Sequence, residues 1–154
     1  MKIACSVDIK CSREVAFGWL EKPEKAMAWM TSVSKTEILH QTTGIVGTTF
    51  REIIQEDGNT MEMRGVISGF EPGRSIRFHL DSRVNRLDVQ YSVAEIPGGV
   101  RVSEYADVNW KFPVNVYSLL FAEKMRQGIV AQLRAEFARL KALCEGASLD
   151  PQGK

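Results

Sequence analysis

Apolar residues recur every three or four positions through one long stretch of the chain, Pro113 to Cys144. Phe121, Met125, Ile129, Leu133, Phe137, Leu140 and Cys144 carry the series, which has the spacing of one face of an α-helix. Arg126, Gln127, Arg134, Glu136, Arg139 and Lys141 fall largely on the other side. Pro113 suits a first helical turn, and Gly146 suits a C-cap. About 30 residues at 1.5 Å each make a rod of roughly 45 Å. A rod that long, apolar on one face only, needs a broad surface to lie on.

Upstream the period changes to two. Ile3, Cys5, Val7 and Ile9 alternate with Lys2, Ser6, Asp8 and Lys10, the pattern of a half-buried strand. Ser12 is placed to cap a short helix over Arg13–Leu20, and Pro23 to start a second one carrying Met27, Trp29 and Met30. Both are too short to be stable alone, so they are expected to plug one end of something larger. From Ser32 onward the pattern predicts strands over Val33–Gln41, Val46–Glu56, Asn59–Phe70, Arg74–Asp81, Val84–Ala94 and Gly99–Trp110. Thr43-Gly44, Asp57-Gly58, Glu71-Pro72-Gly73, the Ser82/Arg83 region and Pro97-Gly98-Gly99 punctuate them. No repeat or linker interrupts the series. One domain is expected over residues 1–146, with a flexible tail from Ala147 to Lys154.

The faces of the strands can be followed from hairpin to hairpin. With Asp57-Gly58 as a two-residue turn, Phe50, Glu52 and Ile54 share a face with Met61, Met63 and Ile67. Later turns carry that face to Ile76, Phe78 and Leu80, then to Leu87, Val89, Tyr91 and Val93. The last turn carries it to Val100, Val102, Glu104, Ala106, Val108 and Trp110. A slip of two residues changes partners but not faces. The opposite face collects Glu62, Arg64, Arg77, His79, Asp81, Arg86, Asp88, Arg101 and Asp107. One side is wet and charge-balanced. The apolar side is where the long helix belongs.

Composition excludes several classes. At 154 residues the chain is long enough for a core of its own. A net charge of +1 provides no bulk field for nucleic acid or an anionic membrane. No run approaches 18 apolar residues and the opening MKIACSVDIK lacks a signal-peptide h-region, so stable membrane insertion is not expected. Cys5 and Cys11 would stand roughly 20 Å apart on one strand, beyond the reach of a disulfide. A cytoplasmic setting is the default. His40 and His79 are the only histidines, and HExxH, CxxC and GxSxG are absent, so no metal, cofactor or activated nucleophile is expected. The basic residues Arg64, Arg77 and Arg86 share their face with Glu62, Asp81 and Asp88, which argues against nucleic-acid binding.

The element order is strand, two short helices, six antiparallel strands and a long C-terminal helix. Within it stand Trp29 after the second helix, Val46-Gly47-Thr48-Thr49-Phe50, and Gly69-Phe70-Glu71-Pro72-Gly73-Arg74 at a strand end. The chain thereby resembles the START-like (SRPBCC) superfamily, the helix-grip fold of polyketide cyclases and dehydrases, lipid-transport domains and birch-pollen-allergen-like proteins. The resemblance covers Met1 to about Cys144. It implies an α+β domain whose curved seven-stranded antiparallel sheet grips the helix around an apolar cavity. In that family the cavity commonly holds a lipid, isoprenoid, sterol or polyketide-like molecule, and some members are enzymes. The fold does not choose between these.

The expected lining is Phe50, Met63, Ile67, Phe78, Leu87, Val89, Tyr91, Val102, Glu104, Trp110, Met125 and Ile129. Glu52 and Glu104 interrupt the apolar face, and ionised carboxylates are rarely buried without a partner. They either orient a ligand or move protons from inside the cavity, or sit near a strand end and reach water or an arginine. Tyr91 falls opposite Glu104 on the neighbouring strand, as a structural or a catalytic partner. Met27, Met30, Met61, Met63 and Met125 are either core filler or an adaptable lining. Gly128 in mid-helix either admits a close backbone approach or is merely tolerated. Trp110, Phe112, Pro113, Val114, Val116 and Tyr117 form an apolar cluster that closes the sheet as core, or acts as a gate, a transient membrane-docking tip or a homodimer contact.

The expected function is to carry or sequester a small hydrophobic molecule. Cyclase or dehydratase catalysis with Glu52 or Glu104 as acid/base is the second reading, and an interaction module with a closed core the third. A carrier is preferred because no nucleophile, metal set or histidine dyad accompanies the glutamates.

Overall fold

The computed structural model describes residues 1–149. The chain runs as β1 (Lys2–Ile9), α1 (Arg13–Leu20), a 3-10 helix (Pro23–Ala28), β2 (Val33–His40), β3 (Thr49–Glu56), β4 (Asn59–Glu71), β5 (Ser75–Ser82), β6 (Asn85–Ile96), β7 (Gly99–Trp110) and α2 (Val114–Leu149). All seven strands join one curved antiparallel sheet in the order β1-β7-β6-β5-β4-β3-β2. This is the α+β helix-grip architecture.

Local chemistry explains the element ends. The Ser12 hydroxyl accepts from the Val15 amide at 3.2 Å and caps α1. Asp57 and Gly58 both adopt positive φ, 49° and 78°, and join Glu56 to its partner Asn59 by a two-residue turn, the geometry that matches strand twist. The strand expected from Val46 starts only at Thr49. Ile45 and Gly47 adopt positive φ there, and the Gly47 amide donates to the Ile67 carbonyl at 2.8 Å. The second short helix is a 3-10 helix, and Trp29 follows it fully buried.

Side-chain faces follow the pleat. On the outer face, register partners meet: His79 Nδ1 is hydrogen-bonded to Asp88 at 2.8 Å, and Arg101 pairs with Asp8 at 2.8 Å. On the inner face, Phe50 sits opposite Gly65 and lays its ring where a Cβ of that residue would collide. Phe50 and Phe78 meet edge to face, as do Phe78 and Tyr91, and Tyr91 and Trp29.

The long helix departs from the expected straight rod. Phe121 has φ −125° and ψ 23°, which breaks α2 in its second turn. Before the break Val116, Tyr117, Leu119 and Leu120 lie in solvent; after it Phe137, Leu140 and Cys144 are fully buried. The apolar cluster at the strand-to-helix junction is therefore not core beyond Trp110, because Phe112 is 78% exposed. Gly146 does not end the helix, which runs to Leu149. The expected tail begins inside this helix and its residues 150–154 lie outside the described residues. A Cβ at Gly128 would meet nothing within 4 Å, so no close backbone approach explains that glycine.

Candidate functional site

The site arises from the way α2 meets the sheet. The helix comes closest along β1 and β7, where Phe137, Leu140 and Cys144 are sealed against Ile3, Ile9, Val100 and Val102 in one core. The inner faces of the middle strands are left partly uncovered. The space between them and α2 is a cavity of about 350 Å³.

Of the expected lining, Phe50, Met63, Phe78, Leu87, Val89, Tyr91, Glu104, Trp110 and Ile129 face this cavity. Ile67, Val102 and Met125 do not. Ile67 and Val102 are on the correct face but lie in the closed core, and Met125 is half-exposed on α2 nearer the break. Met30, Met61 and Met63 line the cavity, whereas Met27 is largely exposed.

Two carboxyls stand inside. The register Tyr91↔Glu104 across β6 and β7 lets the Tyr91 hydroxyl donate to Glu104. Glu104 Oε2 has no hydrogen-bond partner among the described residues. Burial pushes Glu104 up to about 7, with the Tyr91 bond acting downward and the charge of Glu136 upward. Glu52, on β3, is also pushed up to about 7, first by burial and then by Glu136. Burial and the neighbouring carboxylates hold Tyr91 well above the ordinary phenol range. Neither glutamate reaches an arginine or a solvated strand end, and each is over nine-tenths buried.

Glu136 is the residue that helical periodicity misplaces. The pattern puts it on the polar side of α2, yet it is buried and lines the cavity. Its Oε1 accepts from the Thr31 amide (3.3 Å), the Thr31 hydroxyl (3.1 Å) and Gln132 Nε2 (2.9 Å). A signal is available: Glu136 follows Leu133 by three residues and precedes Leu140 by four, on the flank of the apolar stripe. Trp29, in the sequence only a marker of the fold, also lines the cavity. The indole N–H groups of Trp29 and Trp110 have no partner among the described residues.

Other chemistry finds little support. Burial pushes the Cys144 thiol up to about 12, far from a reactive thiolate. Among the described residues no three His, Cys, Asp or Glu side chains are grouped to hold a metal ion. No helix among them is long and apolar enough to cross a membrane. A second, more open concavity of about 790 Å³ lies between Arg13 and Gln90. It is the larger space, but it is polar and carries both signs of charge, whereas the interior cavity is less open and combines apolar walls with buried ionisable groups.

Residues 1–145 match the family model described as polyketide cyclase / dehydrase and lipid transport. No curated protein matches the sequence. Among solved structures, TTHA0849 from Thermus thermophilus superposes with a TM-score of 0.80 at 13% identity, covering 96% of this chain and 99% of that one. The di-domain ARO/CYC StfQ from the steffimycin biosynthetic pathway gives 0.80 at 14% identity, over 97% of this chain and 52% of that one. A START superfamily protein from Mycobacterium smegmatis gives 0.65 at 15% identity, over 89% and 98%. At such identities these likenesses establish the fold alone.

Proposed function

This chain belongs to the polyketide cyclase/dehydrase and lipid transport family, and on that premise we propose that it binds a small hydrophobic molecule between sheet and helix as a carrier. The observation that carries the reading is the 350 Å³ cavity, walled by Phe50, Phe78, Leu87, Val89 and Ile129, with Glu52, Glu104 and Glu136 set into that wall. Each Å² of ligand surface withdrawn from water there is worth about 25 cal/mol before the cost of immobilisation. The indole N–H groups of Trp29 and Trp110 are available to ligand acceptors, and Glu52 and Glu104 to ligand donors. An open cavity of this size speaks against a module with a closed core.

One observation favours a second reading. Burial pushes the carboxyls of Glu52 and Glu104 up to about 7, where a carboxyl gives and takes protons with comparable ease. On that reading the chain is a cyclase or dehydratase, Glu104 the acid/base and Tyr91 the residue that orients it.

Native mass spectrometry of the freshly purified protein, followed by organic extraction, tests both. A neutral fluorescent probe, N-phenylnaphthylamine, is expected to bind saturably at one-to-one stoichiometry. Phe78→Trp and Met63→Trp should weaken it by filling the cavity. Unchanged affinity in both variants would remove the cavity from the proposal. Conversion of the extracted compound by the wild type, falling about 10²–10⁴-fold in Glu104→Gln or Glu52→Gln, would replace the carrier with the enzyme.

A further inference from the structure

The cavity wall carries more negative charge than an apolar ligand can use. Glu52 from β3, Glu104 from β7 and Glu136 from α2 all line it. None of the three is in an ion pair among the described residues. Glu136 is held by three hydrogen bonds to its Oε1. Glu104 is 6% exposed and has one oxygen tied to Tyr91 and the other, Oε2, without a partner. A buried carboxylate oxygen left unpaired is costly, so the wall is complementary to a group that brings both a positive charge and N–H donors.

We infer that the molecule bound here is an amphiphile with a protonated amine on an apolar body, its ammonium seated at Glu104 Oε2 in a cavity that Glu136 and Glu52 also line. The inference rests on the ligand-binding reading above and names its ligand class. The other ionisable groups facing the cavity are Tyr91 from β6, Glu56 at the end of β3, and Lys22 before the 3-10 helix. Tyr91 is a hydrogen-bond donor to Glu104 and stays neutral. Glu56 and Lys22 are exposed, of opposite sign, and do not neutralise the interior. The carboxyls lie on three different elements and come to one cavity only in the folded chain.

The sign of the pH effect follows. Burial, and after it the charge of Glu136, pushes the carboxyls of Glu52 and Glu104 up to about 7. A cation favours their ionised forms, so an amine must release protons as it binds. Its affinity should rise between about pH 5.5 and 8, while an alkylamine itself stays charged.

The test is displacement of N-phenylnaphthylamine by decylamine and by decanol, matched in length and different in charge. Calorimetry of decylamine in buffers of different ionisation enthalpy counts the protons. Decylamine is expected to bind at least about tenfold more tightly than decanol at pH 8, to release protons, and to lose that advantage in Glu104→Gln. The urea-unfolding midpoint of the variant at pH 8 serves as the check on folding. Equal affinities, no proton release, or a preference for decanol at pH 8 would overturn the inference and leave the cavity as an apolar binding site. Failure of both compounds to displace the probe would overturn the ligand-binding reading with it.

Discussion

Replacing Glu104 by glutamine tests the interior electrostatics without any ligand. The carboxyl is 6% exposed, and burial raises it from 4.5 to about 7. At 1.36 kcal/mol per unit, keeping it ionised in the folded state costs about 3 kcal/mol. Because the folded state binds the proton more tightly, stability is highest below 4.5, falls across 4.5 to 7, and stays reduced above. Glutamine retains an acceptor for the Tyr91 hydroxyl, but exchanging a charge-assisted bond for a neutral one, with an amide N–H₂ to satisfy, takes back about 1–2 kcal/mol. The variant should therefore gain about 1–2 kcal/mol over the wild type at pH 8 and be no more stable than it at pH 4.5. Urea titration is the assay, and with m near 1.5 kcal/mol/M the midpoint at pH 8 should rise by roughly 1 M. Asp8, Asp81 and Glu145, held low by Arg101, Lys111 and Lys141, titrate in the opposite sense in acid. The difference between variant and wild type removes their contribution. A variant that is less stable at pH 8 than at pH 4.5, both relative to wild type, would refute the argument that burial controls this group.

Three further outcomes probe the frame. Phe137→Ala should cost about 3–5 kcal/mol, since the ring is fully buried against Trp29; a loss under about 1 kcal/mol by denaturant titration would displace α2 from its seat. Gly128→Ala should stabilise by up to about 1 kcal/mol because a Cβ there meets nothing, and a lower midpoint would mean that the position is contacted. Leu119→Ser with Leu120→Ser should change stability by no more than about 0.5 kcal/mol, both side chains being in solvent; a loss above about 1.5 kcal/mol in thermal unfolding would place that turn inside the fold.

Much of the fold was legible because side-chain direction is a local property. The pleat alternates faces with period two, so Phe78, Val89 and Val108 can be assigned inward before any strand pairing is known. A hairpin such as Glu56 to Asn59 preserves that parity. The same parity places Tyr91 opposite Glu104, and it places His79 and Arg101 outward, where they meet Asp88 and Asp8. Helical periodicity likewise picks out Phe137, Leu140 and Cys144.

Depth was not legible, because it depends on the distance between elements far apart in the chain. Val102 and Glu104 alternate on one face, yet Val102 lies in the closed core with Leu140 while Glu104 opens on the cavity. The position of α2 over β1 and β7 decides this, and no local pattern records it. The charge of Glu136 argues for an outward place, although its neighbours Leu133 and Phe137 point inward; Thr31, more than a hundred residues away, supplies the hydrogen bonds that permit its burial. The upward push on Glu52 and Glu104 comes first from everything that excludes water from them and then from Glu136, a residue of another element. Sequence periodicity sets which way a side chain points. Only the packing of distant elements sets whether it meets core, cavity or solvent.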